Sequence, residues 1–430
     1  MPSLYSKAPI KSLIGSFLVW KALLLCIVIG SGVGPAYDTS STLLSPDITS
    51  SHESPFDLAT KLTRWDSIYF IQASRRGYVF EQEWAFGLGF PAIISYLSQG
   101  LSNLGIQAHG STEPVIGILV AHASHLLSVL ILYQLGLVVL RNQRLSFIAA
   151  LLHILSPAGV FLSAPYNESI YALLSFTGYL FFAKGLLGPK RTFAHDVSLV
   201  ASGMWFGFAT TFRSNGLFNG IPFAIALAYE VTMPPTLSSI RRRLSLLMGG
   251  LIIAVSFVIP QLAAFQIFCS VPSGTKLRPW CRSMFPSIYS FVQARYWNVG
   301  FLRYWTPSNI PLFLLATPMI YLLITSGLEL IRRPLGISPK HHIASSSSSN
   351  LAALVRSMAL SQLILAVLAI TNYHIQIITR ISSGYPLWYW WLAGRITDKN
   401  TSTFGSNVVR FMVIYAAVQG ALFASFLPPA

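Results

Sequence analysis

Arg64-Trp65-Asp66-Ser67-Ile68-Tyr69-Phe70 is a charged, aromatic stretch that stands between long apolar runs. A run at 13–33 precedes it, and from residue 114 onward apolar runs alternate with short polar loops. A hydrocarbon core about 30 Å thick takes about 20 mostly apolar residues per helix. The candidate spans after the first are 114–140, 145–163, 168–187, 196–212, 216–233, 244–268, 309–331, 351–371, 373–394 and 408–427. Arg380 and Ser382-Ser383-Gly384 interrupt the run at 373–394. Composition agrees: the chain is 53% hydrophobic and 10% charged, with mean hydropathy +0.59, where soluble domains carry about 25% charged residues. The expected class is an all-α polytopic membrane protein of about ten to eleven transmembrane helices.

Three divisions follow along the chain. Residues 1–34 hold an N-terminal signal-anchor helix behind Lys7 and Lys11; the small residues after the run also fit a cleaved signal peptide, but the run is longer than such a core, which favours the anchor. Residues 35–113 form the first loop on the far side of the membrane, flexible at 35–55 where Ser, Thr, Pro and Asp dominate. Within it Leu58, Leu62, Trp65, Tyr69 and Gln72 recur at three- and four-residue steps. That spacing predicts an amphipathic helix lying in the membrane interface and stopped by Gly77. A shorter apolar stretch at 86–101 predicts a second interfacial helix. Residues 114–430 form a multi-spanning domain with a polar loop at 269–308 and a serine tether at 345–349. Three cysteines are too few for a disulfide scaffold. Cys269 and Cys281 share one loop, where they are either a pair in an oxidising compartment or two free thiols.

The net charge of +16 comes from short clusters between spans, such as Arg141/Arg144, Lys184/Lys190/Arg191, Arg241-Arg242-Arg243 and Arg332/Arg333/Lys340. Such loops are cytoplasmic anchors, which excludes nucleic acid as the partner. With the N-terminus cytoplasmic, six clusters fall on the opposite face. They are Arg64-Trp65-Asp66-Ser67, Glu81-Gln82-Glu83-Trp84, Ala164-Pro165-Tyr166-Asn167-Glu168-Ser169, Phe212-Arg213-Ser214-Asn215-Gly216, Arg295-Tyr296-Trp297-Asn298 through Trp305, and His374 through Arg380. Charged groups at span ends turn to a cavity or bundle interior, because lipid exposure costs several kcal/mol.

Each cluster also has a plainer reading. An aspartate solvates an interfacial helix, Glu81 and Glu83 solubilise a loop, Glu168 begins a helix, arginines snorkel, and tryptophans form an interfacial belt. The alternation of all six with the basic loops favours a shared site. The chain has no His/Cys/Asp cluster at metal-ligand spacing, no phosphate-cradling glycine loop and no Gly-x-Ser-x-Gly elbow. What remains is a carboxylate near arginines and aromatic rings at a membrane surface. That set suits transfer from a lipid-phosphate donor: the carboxylate takes a proton from an acceptor hydroxyl, and arginines hold the leaving phosphate.

At these clusters the sequence resembles the PIG-V family, multi-spanning endoplasmic reticulum enzymes that add the second mannose to GPI precursors. The resemblance runs in order from about 56 to 395. It rests on Arg64-Trp65-Asp66, the Glu81 to Glu83 stretch before Pro91, Ser163 to Ser169, Phe212 to Gly216, Tyr296-Trp297-Asn298 with Gly300 to Trp305, and His374-Ile375-Gln376 through Arg380 and Pro386. It implies a GT-C glycosyltransferase fold and a lumenal far face. Dolichyl-phosphate-mannose is the implied donor, and the mannosyl-glucosaminyl-phosphatidylinositol precursor the acceptor of an α1,6-linked mannose. The implied displacement is inverting and needs no metal or cofactor. The resemblance further implies an endoplasmic reticulum membrane location and a small stabilising membrane subunit. It makes Asp66 the catalytic base. Arg213 and Arg380 become phosphate contacts, and Glu81, Glu83, Asn167 and Glu168 acceptor contacts or supports. His374 and Trp297 shape the pocket, and Arg64, Trp65, Asn215, Asn298 and Gln376 complete the expected binding set. The alternatives are another dolichyl-phosphate-dependent GT-C mannosyltransferase, a lipid transporter or scramblase, and a non-catalytic subunit of a transferase.

Overall fold

A computed structural model of the chain describes residues 8–31, 58–105, 112–188, 192–270, 277–337 and 345–427. The flexible stretch expected at 35–55 lies outside the described residues. Among those described there is no strand. The chain begins with α1 (Pro9–Gly30), then α2 (Leu58–Leu62), α3 (Ser67–Arg76) and α4 (Gly89–Asn103). A bundle follows: α5 (Thr112–Val139), α6 (Gln143–Ile154), α7 (Glu168–Leu187), α8 (Phe193–Phe212), α9 (Gly220–Val231) and α10 (Leu237–Cys269). After the short α11 (Ile288–Arg295) come α12 (Ile310–Arg332), α13 (Ser345–Thr371), α14 (Ile378–Ile381), α15 (Leu387–Thr397) and α16 (Ser402–Ala424). Among the described residues seven helices are long and apolar enough to cross a bilayer, namely α1, α5, α7, α10, α12, α13 and α16. The protein is an all-α, multi-pass membrane protein.

Several expected runs are not single helices. The run at 145–163 stops at Ile154 and continues as a 3₁₀ turn at Gly159–Leu162, because Pro157 has no N–H to give and Gly159 sits at φ +48. The run at 373–394 breaks into Ile375–Ile377, α14 and Ser382–Gly384 before α15, with Pro386 at the last junction. The expected span at 216–233 contains a helix of only 12 residues. The serines at 345–349 begin α13 rather than forming a tether.

The amphipathic helix expected over 58–72 is also broken. α2 ends at Leu62 and α3 starts at Ser67, with Trp65 between them at φ 56. Trp65 leaves the helical stripe because its ring packs edge-on against Phe426, 5.0 Å away. Asp66 is thereby the residue that opens α3.

Trp388, Tyr389 and Trp390 are fully buried, so this aromatic run is core and not an interfacial belt. α8 and α10 meet at Gly203 and Gly249, where a Cβ on Gly203 would overlap the Gly249 backbone. This contact draws α10 against the helix that ends in Arg213. Gly203→Ala should force the pair apart and lower stability by about 1–3 kcal/mol, as overpacked contacts do. The measurement is thermal unfolding in detergent; an unchanged midpoint would contradict the crossing.

Candidate functional site

Asp66, the N-terminus of α7, the C-terminus of α8, α11 and α14 converge on one cavity of about 340 Å³. Asn167 and Glu168 reach it because they open α7, where a carboxylate complements the positive end of the helix dipole. Arg213 reaches it because it caps α8 in an extended conformation. Glu168 is 1% exposed, and its Oε1 accepts from Arg213 Nη1 at 2.8 Å. The same oxygen lies 3.6 Å from Arg380 Nε.

Arg380 is the hub. Its Nη1 and Nη2 both donate to Oδ2 of Asp66, at 3.1 and 3.2 Å. Its guanidinium also lies over the rings of Phe161 (4.7 Å) and Tyr166 (5.5 Å). Two carboxylates and two guanidiniums therefore alternate in the chain Asp66, Arg380, Glu168, Arg213. Asp66 keeps a 36% exposed side chain, whereas Arg380 is 15% exposed.

Asn167 is held by donating its amide to the carbonyls of Phe86 (2.8 Å) and Phe212 (2.7 Å), so its position ties three segments together. Asn215 donates to the hydroxyls of Tyr171 and Tyr385 at 3.1 and 3.3 Å. His374 Nε2 is 2.9 Å from the carbonyl of Trp297, and its ring stacks on Tyr304 at 4.7 Å. Trp297 packs 5.2 Å from Phe86. Thus Asp66, Asn167, Glu168, Arg213, Asn215, Trp297, His374 and Arg380 all line the cavity.

The other expected residues stand outside its lining. Glu81 is 5% exposed and accepts from Trp280 Nε1 (2.9 Å), Tyr296 hydroxyl (2.8 Å) and Arg278 (2.9 Å). Glu83 accepts from the backbone of Val79 and Phe80 and pairs with Arg76, closing a 3₁₀ turn at Glu81–Phe86. Both are buried rather than solvating a loop, and neither lines the cavity. Gln376 accepts from Tyr304 at 3.0 Å, Asn298 is an exposed turn residue at φ 51, and Arg64 and Trp65 face Phe426.

The sequence reading missed Tyr289 and Gln293 of α11 as cavity residues, and treated Tyr69 only as part of a stripe. The i, i+4 spacing of Tyr289 and Gln293 was the available signal. Burial first, then the charges of Asp66 and Glu83, raises the Tyr69 phenol above its ordinary pKa. Burial likewise raises Tyr289 against the opposing pull of Ser214 and Arg213. Both phenols therefore stay protonated at neutral pH.

Cys269 and Cys281 form a disulfide, with Cα atoms 5.6 Å apart. It fastens the end of α10 to the turn that carries Arg278 and Trp280, and so to Glu81.

A family profile described as Mannosyltransferase (PIG-V) matches residues 11–430. The GPI mannosyltransferase 2 of Chaetomium globosum is 50% identical, over 98% of this chain and 96% of its own length. That of Gibberella zeae is 46% identical, over 99% of both. Among solved structures, the Archaeoglobus fulgidus oligosaccharyltransferase is 14% identical with a TM-score of 0.41, covering 95% of this chain and 53% of that one. This chain thus spans about half the length of that protein.

Denatured without reductant, the protein should take up one maleimide, at Cys26, and three after reduction. Mass spectrometry reads the difference, and three labels before reduction would refute the crosslink.

Proposed function

The chain belongs to the PIG-V mannosyltransferase family, and from that premise we propose that Asp66 is the general base of mannosyl transfer from a lipid phosphate. The protein is a mannosyltransferase of GPI-anchor assembly. The proposed donor is dolichyl-phosphate-mannose, and the proposed product carries a second, α1,6-linked mannose on the one-mannose precursor. The proposed setting is the lumenal face of the endoplasmic reticulum membrane, in the GT-C arrangement that the sequence resemblance implies.

One observation carries the reading. Arg380 spends both Nη groups on Oδ2 of Asp66, which leaves Oδ1 without a partner among the described residues. The base therefore has one oxygen fixed and one available on a cavity-lining side chain. The acceptor hydroxyl loses its proton to Oδ1 as its oxygen attacks C1 of the donor mannose. The C1–O bond to phosphate breaks, and the electron pair leaves with the phosphate. Asp66 becomes neutral as the leaving group gains a negative charge. Arg380, relieved of the Asp66 charge while still beside Glu168, then stabilises that phosphate together with Arg213. Inversion at C1 follows from a single displacement.

The carboxylates that line the cavity, Asp66 and Glu168, are each engaged by arginine, which supports a step that needs no metal. The small stabilising subunit implied by the resemblance stays part of the proposal, with no surface assigned to it.

Asp66→Asn keeps the shape of the side chain and removes the proton acceptor. Purified protein given dolichyl-phosphate-mannose and the one-mannose acceptor should lose about 100-fold or more in kcat, the scale of general-base removal. Cells that depend on this variant should accumulate the one-mannose precursor. Full transfer by Asp66→Asn would sink the assignment, and accumulation of an N-glycan intermediate would sink the acceptor.

A further inference from the structure

Arg64 and Trp65 immediately precede Asp66, yet neither lines the cavity. Trp65 holds a left-handed backbone, φ 56, without being glycine. Such a conformation persists in a bulky residue only where its surroundings enforce it. Among the described residues five non-glycines have a positive φ, and Trp65 and Phe426, at φ 55, are two of them. These two strained residues touch, their rings meeting edge to face at 85° with centroids 5.0 Å apart.

Phe426 ends α16. Its amide donates to the carbonyl of Phe423, and the next amide, of Leu427, reaches back to Leu422. This is the left-handed helix stop that glycine usually fills. A phenylalanine there gives up backbone ease, and its ring is 1% exposed, wedged against the residues that lead into Asp66. The guanidinium of Arg64 lies 4.9 Å over that ring, on the same phenylalanine that Trp65 meets.

The backbone between them is fixed as well. The carbonyl of Arg64 accepts from Ser67 Oγ at 2.6 Å and from Tyr166 hydroxyl at 3.1 Å. Ser425, beside Phe426, donates to the carbonyl of Ser31, while Lys61 donates to that of Ile29. The end of α1, the turn into α3 and the end of α16 thus meet at one junction, directly behind Asp66.

We propose that Phe426 is a positioning residue for Asp66, its ring holding Arg64 and Trp65 so that the left-handed turn directs the carboxylate onto Arg380 and into the cavity. The proposal rests on the reading of Asp66 as base. Phe426 touches no substrate. Its effect passes through Trp65 and the backbone, so it acts on the geometry of proton transfer and leaves donor and acceptor binding alone.

Phe426→Leu keeps an apolar side chain at the junction, and Phe426→Ala removes it. For both, the expected result is a fall in kcat of about 10- to 100-fold, the scale of small catalytic misplacements, with KM for donor and acceptor changed less than about twofold. Phe426→Tyr, which retains the ring, should recover most of the rate. Trp65→Ala should lose rate similarly, and the double variant Phe426→Leu/Trp65→Ala no more than the worse single one, since coupled residues are non-additive. Unchanged kcat in Phe426→Leu, a rise in KM alone, or losses that multiply in the double variant would overturn the proposal. Asp66→Asn measured alongside separates the two readings. If it is inactive while Phe426→Leu is fully active, only the positioning role fails; if it is active, the base assignment fails.

Discussion

The buried guanidinium of Arg380 is the group around which the site has to be arranged. A cation removed from water is tolerated only when anions and dipoles replace its hydration. Here Asp66 supplies one anion from the first loop, Glu168 a second from the start of α7, and Phe161 and Tyr166 offer ring faces. Glu168 is itself more deeply buried and is in turn neutralised by Arg213 at the end of α8. Four segments distant in sequence are thus linked by alternating charge. None of these charges is well placed without the others, so the cavity is a cooperative unit rather than a set of separate contacts.

The sequence was informative about this unit because membrane proteins segregate charge. Basic loops and signature loops alternate with the spans, and that alternation alone puts Asp66, Glu168, Arg213 and Arg380 on a common face. It says nothing of which far-side polar group turns inward. Glu81 and Glu83 were read as acceptor contacts or supports, and residue type and position could not decide between the two. The structure distinguishes them by their donors: Glu81 meets Trp280, Tyr296 and Arg278, and Glu83 meets backbone amides. The Glu81 partners lie up to 215 residues away, beyond the reach of spacing arguments. The break at Trp65 was hidden for the same reason. Local periodicity favours one continuous helix, and a ring from the far end of the chain overrides it.

Tying remote segments together recurs through the molecule. Lys21, inside the first span, is 4% exposed and donates to the carbonyl of Leu162 and to Ser163 Oγ at 2.9 and 2.7 Å. An amine in that setting is expensive unless its hydrogen bonds are met. The acceptors it finds belong to the segment that leads into Tyr166, Asn167 and Glu168. At the opposite end of the bundle, Arg241 and Arg242 meet Asp196, and Arg395 meets Glu329. The positive charges that set topology also close the bundle on that side, while on the cavity side Arg213 and Arg380 pair with the carboxylates of the site.

Under the proposed mechanism, the alternating chain of charge also explains why the base and an anion-holding cation sit in contact rather than apart. Before reaction the four side chains sum to zero, so they present no strong net charge to reject or trap the proposed donor, a singly charged phosphodiester. In the proposed step, when Asp66 takes a proton the balance within the protein shifts to one positive charge just as the leaving phosphate gains one negative charge. The compensation arises where and when it is needed, with no new ion and little movement of dipoles, which is the economy that preorganised electrostatics provides. Arg380 placed elsewhere could still bind phosphate, but its stabilisation would then be spent equally on donor and product. Contact with Asp66 makes it conditional on proton transfer, so the added attraction appears only along the reaction coordinate, where binding energy accelerates chemistry.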